Sequence, residues 1–290
     1  MKIRKAILPV AGMGTRFLPA TKAQPKEMLT VVDKPVIQYV VEEAVAAGIE
    51  EIIFVTSLGK RALEDHFDVN FELESRLRQK GKMRELKEIR KIADMAKFAF
   101  VRQKEPKGDG HAILSALPFV DPHEPVAVLF GDSIFDAKVP VIAQLMATYE
   151  KYQDPVIGLY DVGKKNVSRY GIADGVKLSK DEMEIRGFVE KPSVGSAPSS
   201  YAAMGEYVIT PGIMKILKTQ KPGRDGEIRL ADAFITHVAR NKPLYGKVVD
   251  ADWYDCGDKA QFLLANVAYG LRHPKVAPEF KNGLKKLMKA

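Results

Sequence analysis

Lys5-Ala6-Ile7-Leu8-Pro9-Val10-Ala11-Gly12-Met13-Gly14 is an apolar run that breaks at two glycines. Such a run, without polar alternation, suits a strand buried on both faces of a parallel sheet. Outward from it, Val36, Ile37, Val40, Val41, Ala44 and Val45 recur at helical spacing. Asp33 can cap this helix, Pro35 suits its first turn and Gly48 stops it. Glu51 to Thr56 reads as a second buried strand. Strand, helix and strand in this order make a βαβ unit, and hence a parallel sheet with helices on its faces.

From Lys60 to Lys97 the pattern is helical and strongly charged, with Phe67, Phe71, Leu77, Leu86 and Ile89 as the expected buried set. Ala99 to Arg102 and Pro125 to Phe130 supply two more strands, separated by a helix from about Gly110 to Leu117. Val139 to Tyr152 is an amphipathic helix and Val156 to Tyr160 a strand. The expected fold is α/β: a doubly wound, mostly parallel, Rossmann-like sheet with its ligand crevice at the strand C-termini. After Val162 short strand-like runs (Gly171–Leu178, Met183–Val189, Ala202–Ile209) alternate with turn-rich stretches, which predicts a smaller mixed lobe. Helices return at Glu227–Arg240 and Lys259–Leu271. The basic tail, with Phe280, Leu284, Leu287 and Met288, predicts a helix docked on the body or on a neighbouring subunit.

Lys plus Arg number 45 against 37 Asp plus Glu, a net charge of +8, and this bounds the ligands. The surplus is spread along the chain, densest at Lys80–Lys91 and Lys281–Lys289, without zinc-finger spacing or an RNP-like aromatic motif. Phosphate ligands and solvated helix faces account for it, so nucleic acid is not an expected partner. No apolar run reaches the roughly 18–20 residues of a membrane span, and Met1 to Val10 is too short for a signal peptide, so no membrane association is expected. The single cysteine, Cys256, forms no internal disulfide and fits a reducing, cytoplasmic setting. It has no evident histidine partner and reads as a small buried residue rather than a nucleophile.

The chemistry begins in Ala11-Gly12-Met13-Gly14-Thr15-Arg16-Phe17-Leu18-Pro19, followed by Lys22 and Pro25-Lys26-Glu27-Met28-Leu29. Glycines straight after a strand let backbone N–H groups approach a nucleotide, and Arg16 and Lys26 add fixed positive charge beside its phosphates. A P-loop needs G-x-x-x-x-G-K-[ST], which is absent. A dinucleotide fingerprint needs a third glycine, and Phe17 stands there. Gln103, in Arg102-Gln103-Lys104-Glu105-Pro106-Lys107-Gly108-Asp109-Gly110-His111, ends a strand where its amide offers a donor and an acceptor to a base edge. Asp109 stands where an apolar residue is expected. Val128-Leu129-Phe130-Gly131-Asp132 places a carboxylate at the crevice, able to hold Mg²⁺ against phosphate oxygens. In Gly187-Phe188-Val189-Glu190-Lys191-Pro192, Glu190 and Lys191 face opposite ways unless the proline re-aims one. A carboxylate there can accept two sugar hydroxyls and an ammonium can grip a phosphate.

The stretch from Gly12 through Gly14, Thr15, Arg16, Lys22, Pro25 and Lys26 to Leu29 resembles the bacterial UTP–glucose-1-phosphate uridylyltransferases. More distantly it resembles all sugar-phosphate nucleotidylyltransferases. The likeness continues through Lys34-Pro35-Val36-Ile37-Gln38-Tyr39 to Asp255-Cys256-Gly257, and so covers nearly the whole chain. It implies one domain over 1–290. A nucleotide-binding part would span about 1–160, a sugar-binding lobe about 161–257 and C-terminal helices about 258–290.

By that resemblance Ala11, Gly12, Gly14 and Thr15 cradle the nucleotide, while Gln103 and Gly108 contact the uracil. Gly171, Glu190, Lys191 and Gly205 line the pocket for glucose 1-phosphate. Asp132, with Asp255, holds Mg²⁺. The implied partners are UTP, glucose 1-phosphate, UDP-glucose and pyrophosphate, in a homodimer or homotetramer. Asp132, Lys191, Arg16 and Lys26 would carry an in-line attack of the sugar phosphate on the α-phosphorus of UTP, the two last stabilising the departing pyrophosphate. Alternatives are the same chemistry on dTTP or another hexose 1-phosphate, and a non-catalytic paralogue that binds nucleotide sugar.

Overall fold

The computed structural model describes residues 2–289. Nine strands form one sheet in the order Lys97–Arg102, Glu51–Thr56, Lys5–Pro9, Val126–Leu129, Tyr201–Ile209, Val156–Asp161, Tyr245–Val248, Glu182–Glu190 and Gly171–Lys177. The first four pair in parallel. Side chains alternate across this sheet: Ile7 packs into one core layer while Ala6 and Leu8 pack into the other. Helices Asp109–Ala116, Pro211–Thr219 and Leu230–Ala239 cover the Ile7 face, and Val36–Ala46, Arg61–Phe67 and Val141–Tyr152 cover the opposite one. Both faces being covered explains the unbroken apolar opening: each fully buried Ile or Leu there contributes about 1.5–3 kcal/mol of transfer free energy.

The α/β architecture with helices on both faces is the one that the βαβ pattern predicts. The strand Tyr201–Ile209, expected in the smaller lobe, instead inserts antiparallel between Val126–Leu129 and Val156–Asp161. The other runs of that region, Glu182–Glu190 and Gly171–Lys177, extend the same sheet in antiparallel pairing. The sheet is therefore parallel over its first half and mixed over its second. A separate antiparallel pair, Ser133–Asp136 with Asp252–Asp255, sets Asp255 opposite Ser133. This pair and the helix Pro211–Thr219 have no counterpart among the predicted elements.

Two local expectations are corrected. Phe71 is not buried but 81% exposed, and Leu77 and Ile89 are only partly buried, while Phe67 and Leu86 are in the interior as predicted. Helix Phe71–Gln79 turns Glu74 inward instead, paired with Arg90 of helix Met83–Ala93 at 2.7 Å. An ion pair has taken the place that the apolar count assigned to Phe71. Asp33 does not cap the first helix, which starts at Val36 after an extended Pro35. Its carboxylate lies 3.1 Å from His273 Nε2. At the C-terminus, helix Ala277–Leu287 packs the Phe280 ring over Gly270, whereas Leu287 and Met288 are exposed. No helix among the described residues is long and apolar enough to cross a membrane.

Glu206, on the inserted strand, is 2% exposed. Burial, then the neighbouring Glu43, pushes its carboxyl well above the ordinary 4.5. Glu43 in turn accepts the Ile142 N–H at 3.1 Å, at the start of helix Val141–Tyr152. The folded chain holds these protons more tightly than the unfolded chain, so this contribution to stability is full below 4.5 and is lost as pH rises. Glu206→Gln is expected to raise Tm by a few degrees at about pH 8 and hardly at all at about pH 4. Equal shifts in thermal melts at both values would refute this.

Candidate active site

The glycine loop leaves the strand Lys5–Pro9 under tight backbone control. Val10 N donates to Val55 O at 2.9 Å and Ser57 Oγ to Ala11 O at 2.9 Å. Gly14 has φ +65°, and a Cβ there would stand 2.9 Å from Lys26 Cβ. Both conformation and space thus demand glycine. The stem of Lys26 lies against Gly14, and its Nζ reaches Asp132 Oδ2 at 2.5 Å. Thr15 opens a short 3₁₀ turn, Thr15–Phe17. From this turn Arg16 Nη1 donates to Gly257 O at 3.0 Å, while the Phe17 ring meets Phe262 edge-on at 5.6 Å.

Asp132 follows the strand Val126–Leu129, and the Ser133–Asp255 register brings a second carboxylate beside it. A Cβ on Gly257 would lie 3.0 Å from Asp132 Oδ2, 3.0 Å from Asp255 Oδ1 and 3.4 Å from Arg16 Nη1. Burial works to raise the Asp132 carboxyl, but Lys26 and Arg16 outweigh it and hold the group below the ordinary range. Asp255 moves the other way: burial and the Asp132 charge raise it. Two neighbouring carboxylates pushed apart in this way mark a place that a further cation would relieve. Among the described residues no set of three or more His, Cys, Asp or Glu could enclose a metal alone. Asp132 and Asp255 together would fit a hard cation that takes its remaining oxygen ligands from outside this pair.

Gln103, buried at its strand end, donates from Nε2 to Gly108 O at 2.9 Å and lies 3.0 Å from His111 Nδ1. Gly108 has φ +92°, and a Cβ there would stand 2.6 Å from Ile228 O. The unexpected Asp109 acts as a fastener, its Oδ1 accepting from Gly110 N at 2.6 Å and Leu230 N at 3.0 Å. It ties the loop to the segment at Ile228–Leu230.

A cavity of about 520 Å³ is walled by Ala11, Gly12, Arg16, Lys26, Gln103, Gly108 and Asp132, among others. The glycine loop, the base-reading candidate and the first carboxylate therefore share one space. Asp255 borders a second cavity of about 320 Å³, with Arg169, Tyr170 and Trp253. Glu190 and Lys191 border neither; they are 72% and 62% exposed, with their charged ends 3.2 Å apart. Lys191 has φ +44°, so the chain turns before Pro192 and the two side chains converge instead of facing opposite ways. Strain of this kind at a non-glycine residue concentrates at functional sites. Lys191 N donates to Tyr170 O at 3.1 Å, and Gly171 sits opposite Glu190, whose carboxylate oxygen would stand 3.1 Å from a Cβ there. Gly205 packs against Phe130, whose N–H donates to its carbonyl at 2.9 Å. Gly257 belongs to the Asp255-Cys256-Gly257 stretch that carries the resemblance, whereas the aromatic pair Tyr170–Trp253, 5.1 Å between centroids, carries no signal of its own in the sequence. Only their place next to Asp255 and Gly171 could have marked them.

The family model described as "Nucleotidyl transferase" matches residues 5–270. This chain belongs to the nucleotidyl transferase family. Among the relatives of this nucleotidyl transferase, a UTP–glucose-1-phosphate uridylyltransferase of Staphylococcus haemolyticus is 49% identical over 286 residues, 99% of each chain. A UTP-bound UGPase of Acinetobacter baumannii superposes with a TM-score of 0.91 at 41% identity, covering 99% of this chain and 100% of that one. A UDP-glucose pyrophosphorylase complexed with UDP-glucose gives 0.83 at 41% identity, covering 92% and 98%.

Proposed function

We propose that the chain transfers the uridylyl group of UTP to α-D-glucose 1-phosphate, giving UDP-glucose and pyrophosphate. The observation that carries this reading is the junction at Gly257, where Asp132 and Asp255 lie together between two cavities and are flanked by Arg16 and Lys26. The relatives support the identity of the substrates: one is named for UTP and glucose 1-phosphate, and two solved structures hold UTP and UDP-glucose. In this reading the part over about 1–160 takes the nucleotide and the part over about 161–257 takes the sugar phosphate.

Two polyanions must meet, so the barrier is chiefly electrostatic and positional. The loop Ala11–Thr15 presents backbone N–H groups to the triphosphate, and Gln103 with Gly108 reads the uracil edge. Lys191 holds the glucose 1-phosphate while Glu190 accepts its sugar hydroxyls and Gly171 lets the ring approach the backbone; Gly205 borders the site through its backbone, its side-chain position being taken by Phe130. A phosphate oxygen of that sugar phosphate attacks the α-phosphorus in line, and the bond to the β-phosphate oxygen breaks. The nucleophile is already ionised, so no general base is needed. Arg16 and Lys26 neutralise the departing pyrophosphate. Asp132 and Asp255 would hold Mg²⁺, which when bound supplies charge neutralisation to the phosphates.

The deciding experiment is Mg²⁺-dependent pyrophosphate release from UTP and glucose 1-phosphate, with dTTP and galactose 1-phosphate as rival substrates. No release with the first pair would reject the reading. Lys191→Ala is expected to raise KM for glucose 1-phosphate about tenfold or more while leaving KM for UTP near its original value. Unchanged kinetics toward the sugar phosphate would remove Lys191 from the site.

A further inference from the structure

A second ion pair, given no role so far, adjoins the 520 Å³ cavity, which Glu27 helps to line. Glu27 follows Lys26 directly, yet it is 1% exposed and meets Lys60, 7% exposed, at 2.6 Å. Lys60 immediately precedes helix Arg61–Phe67. Glu27 lies under the strand end that carries Asp132, since a Cβ on Gly131 would stand 3.2 Å from Glu27 Cγ. Lys26 meanwhile holds Asp132 at 2.5 Å. Four charges thus follow one another with alternating sign: Lys60, Glu27, Lys26 and Asp132.

A buried ion pair is weak evidence for stability, because desolvation offsets most of the attraction and an apolar pair of like volume often serves as well. Its position next to Lys26 is what matters. Burial works against the Lys26 charge, but the attraction of Asp132, then of Glu27, outweighs it and holds the group above its ordinary range. If Glu27 lost Lys60, its carboxylate would stand buried without a partner, and Lys26 would be the nearest cation able to satisfy it. The site would then lose Lys26 from Asp132 and from the phosphates.

We infer that Lys60 is a positioning residue: by satisfying Glu27 it leaves Lys26 to serve Asp132 and the departing pyrophosphate. The inference rests on the function proposed above. It ascribes no substrate contact to Lys60 or Glu27.

The test compares Lys60→Met with the double variant Lys60→Met/Glu27→Gln, assayed for pyrophosphate release beside the unaltered protein, with thermal melts of each. The single variant is expected to lose about tenfold or more in kcat, with KM for glucose 1-phosphate within about twofold. In the reverse direction its KM for pyrophosphate rises. The double variant is expected to regain at least about half the original kcat, because a neutral glutamine no longer competes for Lys26. Original kcat in the single variant, or equal loss in both variants whatever their melting temperatures, would overturn the inference. If the unaltered protein releases no pyrophosphate, the proposed function itself fails, so the two failures are told apart.

Discussion

Asp132→Asn is expected to cut kcat for Mg²⁺-dependent pyrophosphate release by about 10²–10³-fold, the usual loss when a group that stabilises transition-state charge is removed. Asparagine has nearly the same shape, so the loss would come from charge. The carboxylate does two things at once. It offers an oxygen to a cation beside Asp255, and it is the partner of Lys26 at 2.5 Å. Its substitution leaves Asp255 as the remaining carboxylate of the pair, so the Mg²⁺ concentration for half-maximal activity should rise together with the fall in kcat. Turnover near that of the unaltered protein, at unchanged Mg²⁺ demand, would take Asp132 out of the mechanism.

Lys26→Met produces a loss of similar size with the opposite metal signature. Methionine retains most of the stem that packs on Gly14, so the loop keeps its shape while the charge goes. Without the ammonium, Asp132 loses its hydrogen-bonded partner and keeps only the field of Arg16 against that of the neighbouring Asp255. Cation binding should therefore tighten, lowering the Mg²⁺ needed for half-maximal activity. The departing pyrophosphate loses a fixed positive charge, and kcat should fall about 10²-fold or more. Magnesium titrations of both variants read this contrast directly. Parallel shifts of the Mg²⁺ requirement would show that Lys26 and Asp132 do not compete as described.

The features legible in the sequence are those fixed within a few neighbouring residues. A strand running into glycines, a lysine set against the second of them, and an aspartate at the end of an apolar strand each follow from local chain geometry. The family resemblance extends this to Asp255, but its physical route to Asp132 is not local. It depends on Asp252–Asp255 pairing with Ser133–Asp136 across more than a hundred residues. Strand partners of that kind leave no periodic trace, and so local reading puts Tyr201–Ile209 beside the wrong neighbours. Phe71 and Glu74 show a second limit. Helical spacing says that a stripe will be buried, but a charged residue with a partner on the next helix can take the inward place. Lys60 and Glu27 are the same lesson at the site, since neither residue type suggests an interior position until both are placed together.

The insertion of Tyr201–Ile209 at the centre of the sheet also fixes an order of events during synthesis. The first four strands can pair as they leave the ribosome, but Val126–Leu129 must then wait as an open, fully apolar edge until residue 209 has emerged. Val156–Asp161 waits in the same way on the other side of the gap. An edge of this kind is a template for pairing with another chain. Nascent chains with about 165 to 200 residues outside the ribosome should therefore be the most aggregation-prone and the most dependent on chaperones. Release past the inserted strand closes this gap, and the outer edge of Val156–Asp161 is covered only when Tyr245–Val248 follows.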